Sequence, residues 1–377
     1  MSVSQIPPQI KTLLWTKSGG RCEFDGCNKP LYYDLLTKRN CNSAYIAHII
    51  ADQATGPRGD KVLSPQYAKD AENLMLMCDT HHRMIDNNEN LEIYSVEILK
   101  EMKKRHEERI ELLTSIQASK YSHVVLYSPI IGENSIRIDA NKVIQAMVPD
   151  YFPAEKNVIE LSCVGSALKD DHKSYWEYER YQLNNMFESK IRQRITNGNI
   201  KHLSVFALAP QPLLIELGKL ISDIQATRVY QKHREPDSWK WLDYVNENEK
   251  YIIKKPEKVS NIVALKLSLS GTISDQRITD IFEEEVSIWE LTINNPNNDF
   301  LKVKSQVSEF RKTMRRLFDE IKSVHGQNSI LNIFPAVPSA LAIEIGRVWM
   351  PKADIQLSLF DQNNVERKFI HAFNIIN

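Results

Sequence analysis

The feature that most constrains the fold is an internal repeat in the second two-thirds of the chain. Residues 204–220 recur, with substitutions, at residues 332–348. The identical pairs are Phe206/Phe334, Pro210/Pro338, Leu213/Leu341, Ile215/Ile343, Glu216/Glu344 and Gly218/Gly346. A shorter similarity upstream relates residues 161–166 to residues 267–272. A repeat of this kind predicts two structural halves that resemble each other.

Each half has the pattern strand, small polar loop, helix, strand, Pro-containing loop, helix, strand. Strands that alternate with helices predict an α/β fold with a mainly parallel sheet. In such sheets ligands bind beyond the carboxyl ends of the strands, where helix N-termini can meet phosphate. Two such halves facing each other predict one composite pocket for a pseudo-symmetric ligand with two phosphates. The candidate loop residues are Ser166, Pro210, Gln211, Gly271, Thr272 and Ser339.

Aromatic and cationic residues alternate between the halves, in residues 229–241. Such a segment can stack purine bases while it neutralises phosphates. Tyr230, Arg234 and Trp239 are therefore further candidates for the ligand pocket. The alternative is an exposed strand and turn with Trp239 and Trp241 buried in a local core.

The overall charge limits what the chain can bind. There are 48 Lys and Arg against 48 Asp and Glu in 377 residues, so the net charge is zero. A protein that binds nucleic acid through bulk positive charge is excluded, and any phosphate-binding surface has to be local. The length predicts two or three domains. Neither a run of 18 apolar residues nor a signal peptide is present, so we expect a soluble, cytoplasmic protein.

Two short pairs of potential metal ligands occur in the first 90 residues. Cys22 and Cys27 form one pair, and Cys78 and His81 form the other. Three cysteines and one histidine make a typical tetrahedral zinc set. The alternative is that the three cysteines are small buried residues. Cys41 and Cys163 have no partner at ligand spacing, and we expect both in the core.

Residues suited to phosphodiester chemistry lie around the second pair. His48 follows a β-branched and aromatic stretch that predicts a strand, and Asn73 precedes the apolar run that ends at Cys78. His82 and Asp86 are four residues apart, so they share a face if the segment is helical. Taken singly, His48 can equally be a structural strand histidine and Asn73 a turn or helix cap.

The order His48, Asn73, His82 within a Cys/His framework resembles the HNH endonucleases, over residues 20–90. The resemblance implies a ββα-metal fold with a structural Zn²⁺ at Cys22, Cys27, Cys78 and His81. It also implies that His48 is the general base, that Asn73 orients it or the loop beneath it, and that His82 is a ligand of a catalytic Mg²⁺ or Mn²⁺. Asp86 lies where many members carry a further ligand. Ala47 departs from the pattern, because many members have Asp or His there as a metal ligand.

The second two-thirds resembles the SAVED sensor domain, which consists of two fused CARF-like, Rossmann-like α/β halves. The whole chain is similar to the HNH–SAVED effectors of CBASS, a bacterial anti-phage system based on cyclic oligonucleotides. The resemblance implies that a cyclic di- or trinucleotide, for example one like cGAMP, binds the sensor and drives assembly from a dimer to a tetramer. The assembled enzyme would degrade double-stranded DNA with little sequence preference. It also implies a bacterial cytoplasmic protein without a membrane partner.

The predicted domains are a nuclease domain with a connecting helix at residues 1–120 and a sensor at residues 121–377. The sensor halves are expected at about residues 121–245 and 246–377. Two other classes of protein remain open. One is a restriction-type HNH nuclease whose C-terminal domain reads DNA sequence or modification. The other is a non-catalytic zinc module joined to a small-molecule sensor.

Overall fold

The structure is a computed structural model that describes residues 4–129, 137–162, 174–244, 249–363 and 368–376. The chain divides into two units, residues 1–117 and residues 118–377. No helix among the described residues is long and apolar enough to cross a bilayer.

The first unit is built on a small antiparallel sheet. Its elements are α1 (Pro8–Lys17), β1 (Ala44–His48), α2 (Leu63–Tyr67), β2 (Leu74–Cys78), α3 (Asp79–Ile85) and α4 (Val96–Thr114). Strands β1 and β2 pair antiparallel, with Ala44 opposite Cys78 and His48 opposite Leu74. Every residue of β2 is buried, so this strand forms the centre of the unit's core.

Helix α3 starts directly after β2, which gives the local order strand, strand, helix. Helix α4 starts after Ser95, whose hydroxyl accepts a hydrogen bond from the amide of Ile98. Such caps satisfy an amide that has no partner inside the helix. Helix α4 ends at Thr114 and lies where the connecting helix was expected.

The second unit contains two sheets, and its fold is α/β as predicted. The first sheet has the order β4-β3-β6-β7, with β5 also paired to β3, and all of its pairings are parallel. Its elements are β3 (Tyr121–Tyr127), α5 (Ala140–Met147), β4 (Phe152–Pro153), β5 (Ile159–Glu160), α6 (Tyr175–Phe187), α7 (Gln193–Thr196), β6 (Leu203–Ala207), α8 (Gln211–Ile221) and β7 (Thr227–Tyr230).

The second sheet has the order β13-β12-β11-β9-β10-β8. Its four inner strands run parallel, and the outer strands β8 and β13 are antiparallel to their neighbours. Its elements are β8 (Ile252–Lys254), β9 (Ile262–Ser268), α9 (Gln276–Thr279), β10 (Val286–Thr292), α10 (Lys304–His325), β11 (Ile330–Ala336), α11 (Ser339–Val348), β12 (Gln356–Asn363) and β13 (Lys368–Ile375).

The two copies of the repeat form β6 with α8 and β11 with α11. Helices α8 and α11 are buried along most of their length because they pack against each other as well as against the sheets. Each helix carries a buried glutamate at the same repeat position. Glu216 contacts Arg180 and Lys219, and Glu344 contacts Arg311 and Arg347. Both buried carboxylates thus have cationic partners, as burial of a charge requires.

Candidate functional site

The four predicted zinc ligands lie together in the first unit. Potential ligand atoms of Cys22, Cys27, Cys78 and His81 are all within 4.8 Å of one another. Cys22 and Cys27 come from a tight turn in which Gly26 has a φ of +78°. Cys78 ends β2, and His81 lies in the first turn of α3. A loop therefore supplies one pair of potential ligands to the cluster, and a strand–helix junction supplies the other pair.

The chemistry of this cluster fits a closed metal site. The Nδ1 atom of His81 lies 3.2 Å from the sulfur of Cys78 and 3.7 Å from that of Cys22. The ring of His81 stacks on Phe24 with centroids 4.1 Å apart, which fixes its orientation. Burial raises the pKa of the Cys22 thiol to about 12. In the absence of a cation, burial therefore favours the protonated thiol. A bound cation would favour the thiolate instead, because coordination deprotonates a thiol. Three sulfurs and one imidazole nitrogen are a set that Zn²⁺ binds tetrahedrally.

The other two cysteines are not part of this cluster. Cys41 is exposed, so the expectation that it lies in the core is wrong. Cys163 falls outside the described residues.

His48 ends β1 with its ring half-buried and held by one hydrogen bond. Its Nε2 atom lies 3.0 Å from the carbonyl oxygen of Ala68. A carbonyl oxygen only accepts, so Nε2 carries the hydrogen and Nδ1 keeps its lone pair. This tautomer suits a residue that takes up a proton at Nδ1.

Asn73 is buried and binds the backbone that follows His48. Its side-chain oxygen accepts from the amide of Ile50 at 2.8 Å, and its nitrogen donates to the carbonyl of Ile50 at 2.8 Å. The same nitrogen donates to the carbonyl of Tyr67 at 3.2 Å. The hydrogen bonds of the Asn73 side chain thus hold the loop beneath His48 and go to backbone atoms rather than to the imidazole. Of the two roles that the resemblance implies for Asn73, these contacts fit the one on the loop, and the role itself stays a prediction.

His82 and Asp86 face each other on α3 and just beyond its end. The Nε2 atom of His82 lies 3.5 Å from Oδ2 of Asp86. Tyr45 of β1 stacks on the His82 ring with centroids 5.2 Å apart. Among the described residues, these two side chains have no third carboxylate, thiol or imidazole that completes a metal-binding group. Ala47, next to His48, is buried, and its methyl group offers no ligand atom.

Arg58 connects the segment that ends in His48 with the segment that carries Asp86. The sequence analysis did not identify this residue. The side chain is only 5% exposed, and its Nη2 atom donates to Oδ1 of Asp86 at 2.9 Å and lies 3.4 Å from the carbonyl of His48. Its other nitrogens donate to the carbonyls of Ile49 at 2.7 Å and Ile85 at 2.5 Å. One guanidinium thus connects the end of β1 with the end of α3. Glycines and a proline flank Arg58 and are typical of a loop, but they do not indicate the partners of its side chain.

In the second unit, the predicted loops follow the carboxyl ends of parallel strands. Pro210 caps α8 and Gln211 is its first residue, while Ser339 is the first residue of α11. Gly271 and Thr272 follow β9, with Thr272 exposed. Ser166 lies outside the described residues.

The other three pocket candidates divide between core and surface. Tyr230 and Trp239 are 1% and 3% exposed, and both pack on Phe206 in the core. The structure therefore corrects their assignment, because a ring packed on all sides has no face for a ligand. Arg234 is exposed in the turn that follows β7.

Two glutamines link the two halves at these loops. Gln211 accepts a hydrogen bond from the amide of Val337 at 3.2 Å. Gln231 accepts one from the amide of Ala340, in the first turn of α11, at 3.1 Å. Gln231 was not among the sequence candidates, since a single glutamine after a strand carries no signal of its own. The two bonds bring the loops of both halves to one place.

Comparison with known proteins bears on the second unit. The SAVED family model, described as "SMODS-associated and fused to various effectors sensor domain", matches residues 183–375. A search of curated proteins found no match.

Several solved structures are similar to the chain. The Cap4 SAVED/CARF-domain containing receptor of Acinetobacter baumannii with the cyclic trinucleotide 2'3'3'-cAAA has 13% identity and a TM-score of 0.44, over 77% of this chain and 67% of that one. The same receptor with 3'3'3'-cAAA has 11% identity and a TM-score of 0.42, over 74% and 60%. The Cap4 receptor of Moraxella osloensis has 10% identity and a TM-score of 0.39, over 74% and 58%. The chain thus spans about three-fifths to two-thirds of the length of these structures.

Proposed function

This chain belongs to the SAVED family of sensor domains, and we propose that it is a metal-dependent endonuclease of the HNH type whose activity is switched on by a cyclic oligonucleotide. In this proposal the first unit cleaves double-stranded DNA with little sequence preference. The second unit binds a cyclic di- or trinucleotide. The protein would act in the bacterial cytoplasm as an anti-phage effector of CBASS.

The observation that carries the nuclease proposal is the position of the Arg58 guanidinium. Its Nη2 atom contacts both the backbone of His48 and the carboxylate of Asp86, whose other oxygen faces His82. His48, Asp86 and His82 therefore belong to one cluster, beside the Cys/His group that could hold a metal ion. The order strand, strand, helix around that cluster is the one that the HNH resemblance implies.

In the proposed reaction, Nδ1 of His48 takes a proton from the water that attacks the scissile phosphate. The hydrogen bond from Nε2 to Ala68 holds the ring in the tautomer that this step needs. Asn73 holds the backbone that follows His48 in place, because its side chain makes two hydrogen bonds to the backbone of Ile50. Positioning of this kind contributes to the rate by keeping the reacting atoms aligned.

His82 and Asp86 are the residues that would hold the catalytic divalent cation, Mg²⁺ or Mn²⁺. Their facing atoms are 3.5 Å apart, while Arg58 occupies the other oxygen of Asp86. Two protein ligands suit Mg²⁺, which keeps several waters and binds substrate phosphate oxygens directly. When bound, the cation stabilises negative charge on the phosphate and on the leaving oxygen. Zn²⁺ would be held at Cys22, Cys27, Cys78 and His81 in a purely structural role.

The proposed ligand pocket lies where the loops of the two halves meet. The helices that would meet the phosphates begin at Gln211 and Ser339. The first amide of a helix has no acceptor inside the helix and can bind phosphate. Gly271 and Thr272 would contribute from the loop after β9, and Arg234 from the turn after β7. A ligand with two or three phosphates suits a pocket to which both halves contribute a helix N-terminus.

Ligand binding can activate the nuclease only by favouring the active arrangement over the idle one. We propose that the active arrangement is a homo-oligomer, and that ligand binding drives its assembly from a dimer to a tetramer. Because the chain has no net charge, a single copy has little general attraction for DNA. Several linked nuclease units increase the effective affinity without new contacts. The requirement for assembly would keep the enzyme inactive in the absence of ligand.

The test is to incubate the purified protein with plasmid DNA and Mg²⁺, with and without a panel of cyclic di- and trinucleotides. Degradation only with particular cyclic nucleotides, lost in His48→Ala and retained in the exposed control His371→Ala, is the expected result. Equal cleavage in every lane would instead favour the restriction-type alternative. Ligand binding without cleavage, even at high protein concentration and with Mn²⁺, would contradict the nuclease part alone.

A further inference from the structure

The second unit contains a small cleft whose lining residues are not part of the proposed cyclic-nucleotide pocket. It has a volume of about 100 Å³ and lies among β7, α10 and α11. Its charged and aromatic lining residues are Arg228, Trp241, Lys304, Arg311, Glu344 and Arg347. A volume of this size is far below the roughly 300 Å³ or more of a pocket for a whole small molecule, but it suits one oxyanion.

Cations exceed carboxylates in this cleft. Glu344 is fully engaged, with one oxygen 3.0 Å from Arg311 and the other 2.8 Å from Arg347. Lys304 pairs with Asp150. Asp223 acts on Arg347 electrostatically from an exposed position outside the lining. Two carboxylates, Glu344 and Asp150, therefore contact three of the four cations that line the cleft, which leaves an excess of positive charge.

Arg228 is the cation without a counter-charge. Among the described residues, no carboxylate lies within ion-pair distance of it. Its guanidinium carbon lies over the ring of Tyr151, 5.9 Å from the ring centroid. This charge acts on one neighbouring side chain, the imidazole of His202. Arg228 and Arg347, together with burial as the larger cause, lower the pKa of His202 to about 4. Partly buried guanidinium groups that lack a carboxylate are suited to an external anion.

Trp241 provides an independent observation. The side chain is 4% exposed, and its indole N–H finds no hydrogen-bond acceptor among the described residues. A buried donor without an acceptor is costly, and most buried donors in folded proteins are paired. An oxyanion in the cleft would supply an acceptor to this donor as well as charge to Arg228.

We propose that this cleft binds a single phosphate group, either inorganic phosphate or the terminal monoester of a nucleotide. The site differs from the proposed cyclic-nucleotide pocket. Arg228 lies near the start of β7, and Arg347 lies in the last turn of α11. Arg347 is about 12 Å along the helix axis from Ser339, at the rise of 1.5 Å per residue. The bound phosphate would connect β7 of the first half with α10 and α11 of the second.

The test titrates the full-length protein with inorganic phosphate in a chloride buffer at constant ionic strength, by calorimetry and by ³¹P NMR. Saturable binding of one phosphate per chain is expected. Arg228→Ala and Trp241→Phe should each weaken it roughly tenfold, since each removes a hydrogen bond to a charged group. Trp241→Phe keeps an aromatic side chain but removes the indole N–H together with part of the ring volume. Arg316→Ala is the matched charge control, because Arg316 is exposed on the same helix α10 outside the cleft.

Thermal unfolding of each variant without phosphate verifies that it is folded. A second titration with 5′-AMP identifies the source of the group: competition with phosphate indicates a nucleotide monoester, and its absence indicates free phosphate. Absence of saturable phosphate binding would overturn the proposal. So would binding that neither Arg228→Ala nor Trp241→Phe weakens, or that Arg316→Ala weakens as much. None of these measurements depends on nuclease activity.

Discussion

Gly218 and Gly346 lie at the crossing of α8 and α11, and each is in contact with the backbone of the other helix. A Cβ atom on Gly218 would be 1.9 Å from the carbonyl oxygen of Ile343, and one on Gly346 would be 1.9 Å from that of Ile215. The two contacts are reciprocal because both pairs of residues occupy equivalent repeat positions. The repeat therefore encodes the packing of one half on the other.

The first prediction is that Gly218→Ala destabilises the second unit. In an isolated helix, alanine is more favourable than glycine by about 1 kcal/mol. Here a methyl group would collide with backbone that cannot rotate away, and overpacking of this kind costs about 1–3 kcal/mol. We therefore expect a net loss in the free energy of unfolding, measured by urea denaturation. Gly271→Ala is the control, because its Cβ would meet nothing within 4 Å. Equal stability of Gly218→Ala and wild type would contradict the close crossing.

The sequence predicted elements and clusters better than long-range contacts. The repeat predicted an α/β unit with two similar parts, because hydrophobic periodicity and loop residues are local properties. It did not indicate that α8 packs on α11, since either copy alone reads as a helix with a buried face. Tyr230 and Trp239 were misassigned for a related reason. Aromatic and cationic residues alternate in a buried strand and turn just as they do on a stacking surface.

In the first unit, the Cys/His cluster was predictable because the two residues of each pair are close in sequence. Arg58 was not, because its partners lie before and well after it in the chain. Its backbone also has a φ of +54°, which is uncommon for a residue other than glycine. Four hydrogen bonds from the side chain can hold such a conformation, but a sequence pattern does not reveal it.

The second prediction concerns the metal cluster. We expect one zinc ion per chain by elemental analysis, and its loss in Cys27→Ser. Metal binding at a structural site contributes directly to folding, so Cys27→Ser and chelation should each lower the melting temperature of the first unit. Cys41→Ser is the matched control, since Cys41 is exposed and lies outside the cluster. Stoichiometric zinc in Cys27→Ser would contradict the assignment of this ligand.

The third prediction rests on the proposed nuclease activity and concerns Arg58 as a positioning residue. Without its guanidinium, the ends of β1 and α3 lose their common partner, and a misplacement of about 1 Å can cost roughly 10²-fold in rate. We expect Arg58→Ala to lower kcat by about that factor with little change in KM for DNA. Arg58→Lys should recover only part of the activity, because one ammonium group cannot reproduce the fork of donors.

The control for Arg58 is Arg83→Ala, which removes an exposed arginine of α3 that pairs with Asp79. It should retain nearly full activity. Zinc content and melting temperature of all three variants distinguish a positioning role from unfolding. An unchanged kcat in Arg58→Ala, in a preparation whose wild type is active, would refute the role of Arg58 and leave the nuclease assignment intact.

The fourth prediction concerns the dependence of stability on pH. The ring of His202 stacks on Tyr151 with centroids 3.9 Å apart, and its Nδ1 lies 2.8 Å from the hydroxyl of Ser122. Burial, followed by the charges of Arg228 and Arg347, lowers the pKa of His202 from 6.5 to about 4. Between these values the unfolded chain binds a proton at this position and the folded chain does not. The free energy of unfolding therefore decreases as the pH falls from about 6.5 to about 4.

One such group contributes up to about 1.4 kcal/mol per pH unit within that window. We expect His202→Gln to show a shallower loss of stability than wild type in urea denaturation at several pH values, in buffers without phosphate. Some slope remains, because burial also lowers the pKa of His123 and His233. His371→Gln, which replaces an exposed histidine, should keep the slope of the wild type. Identical slopes for His202→Gln and wild type would mean that the folded chain protonates His202 as readily as the unfolded chain does.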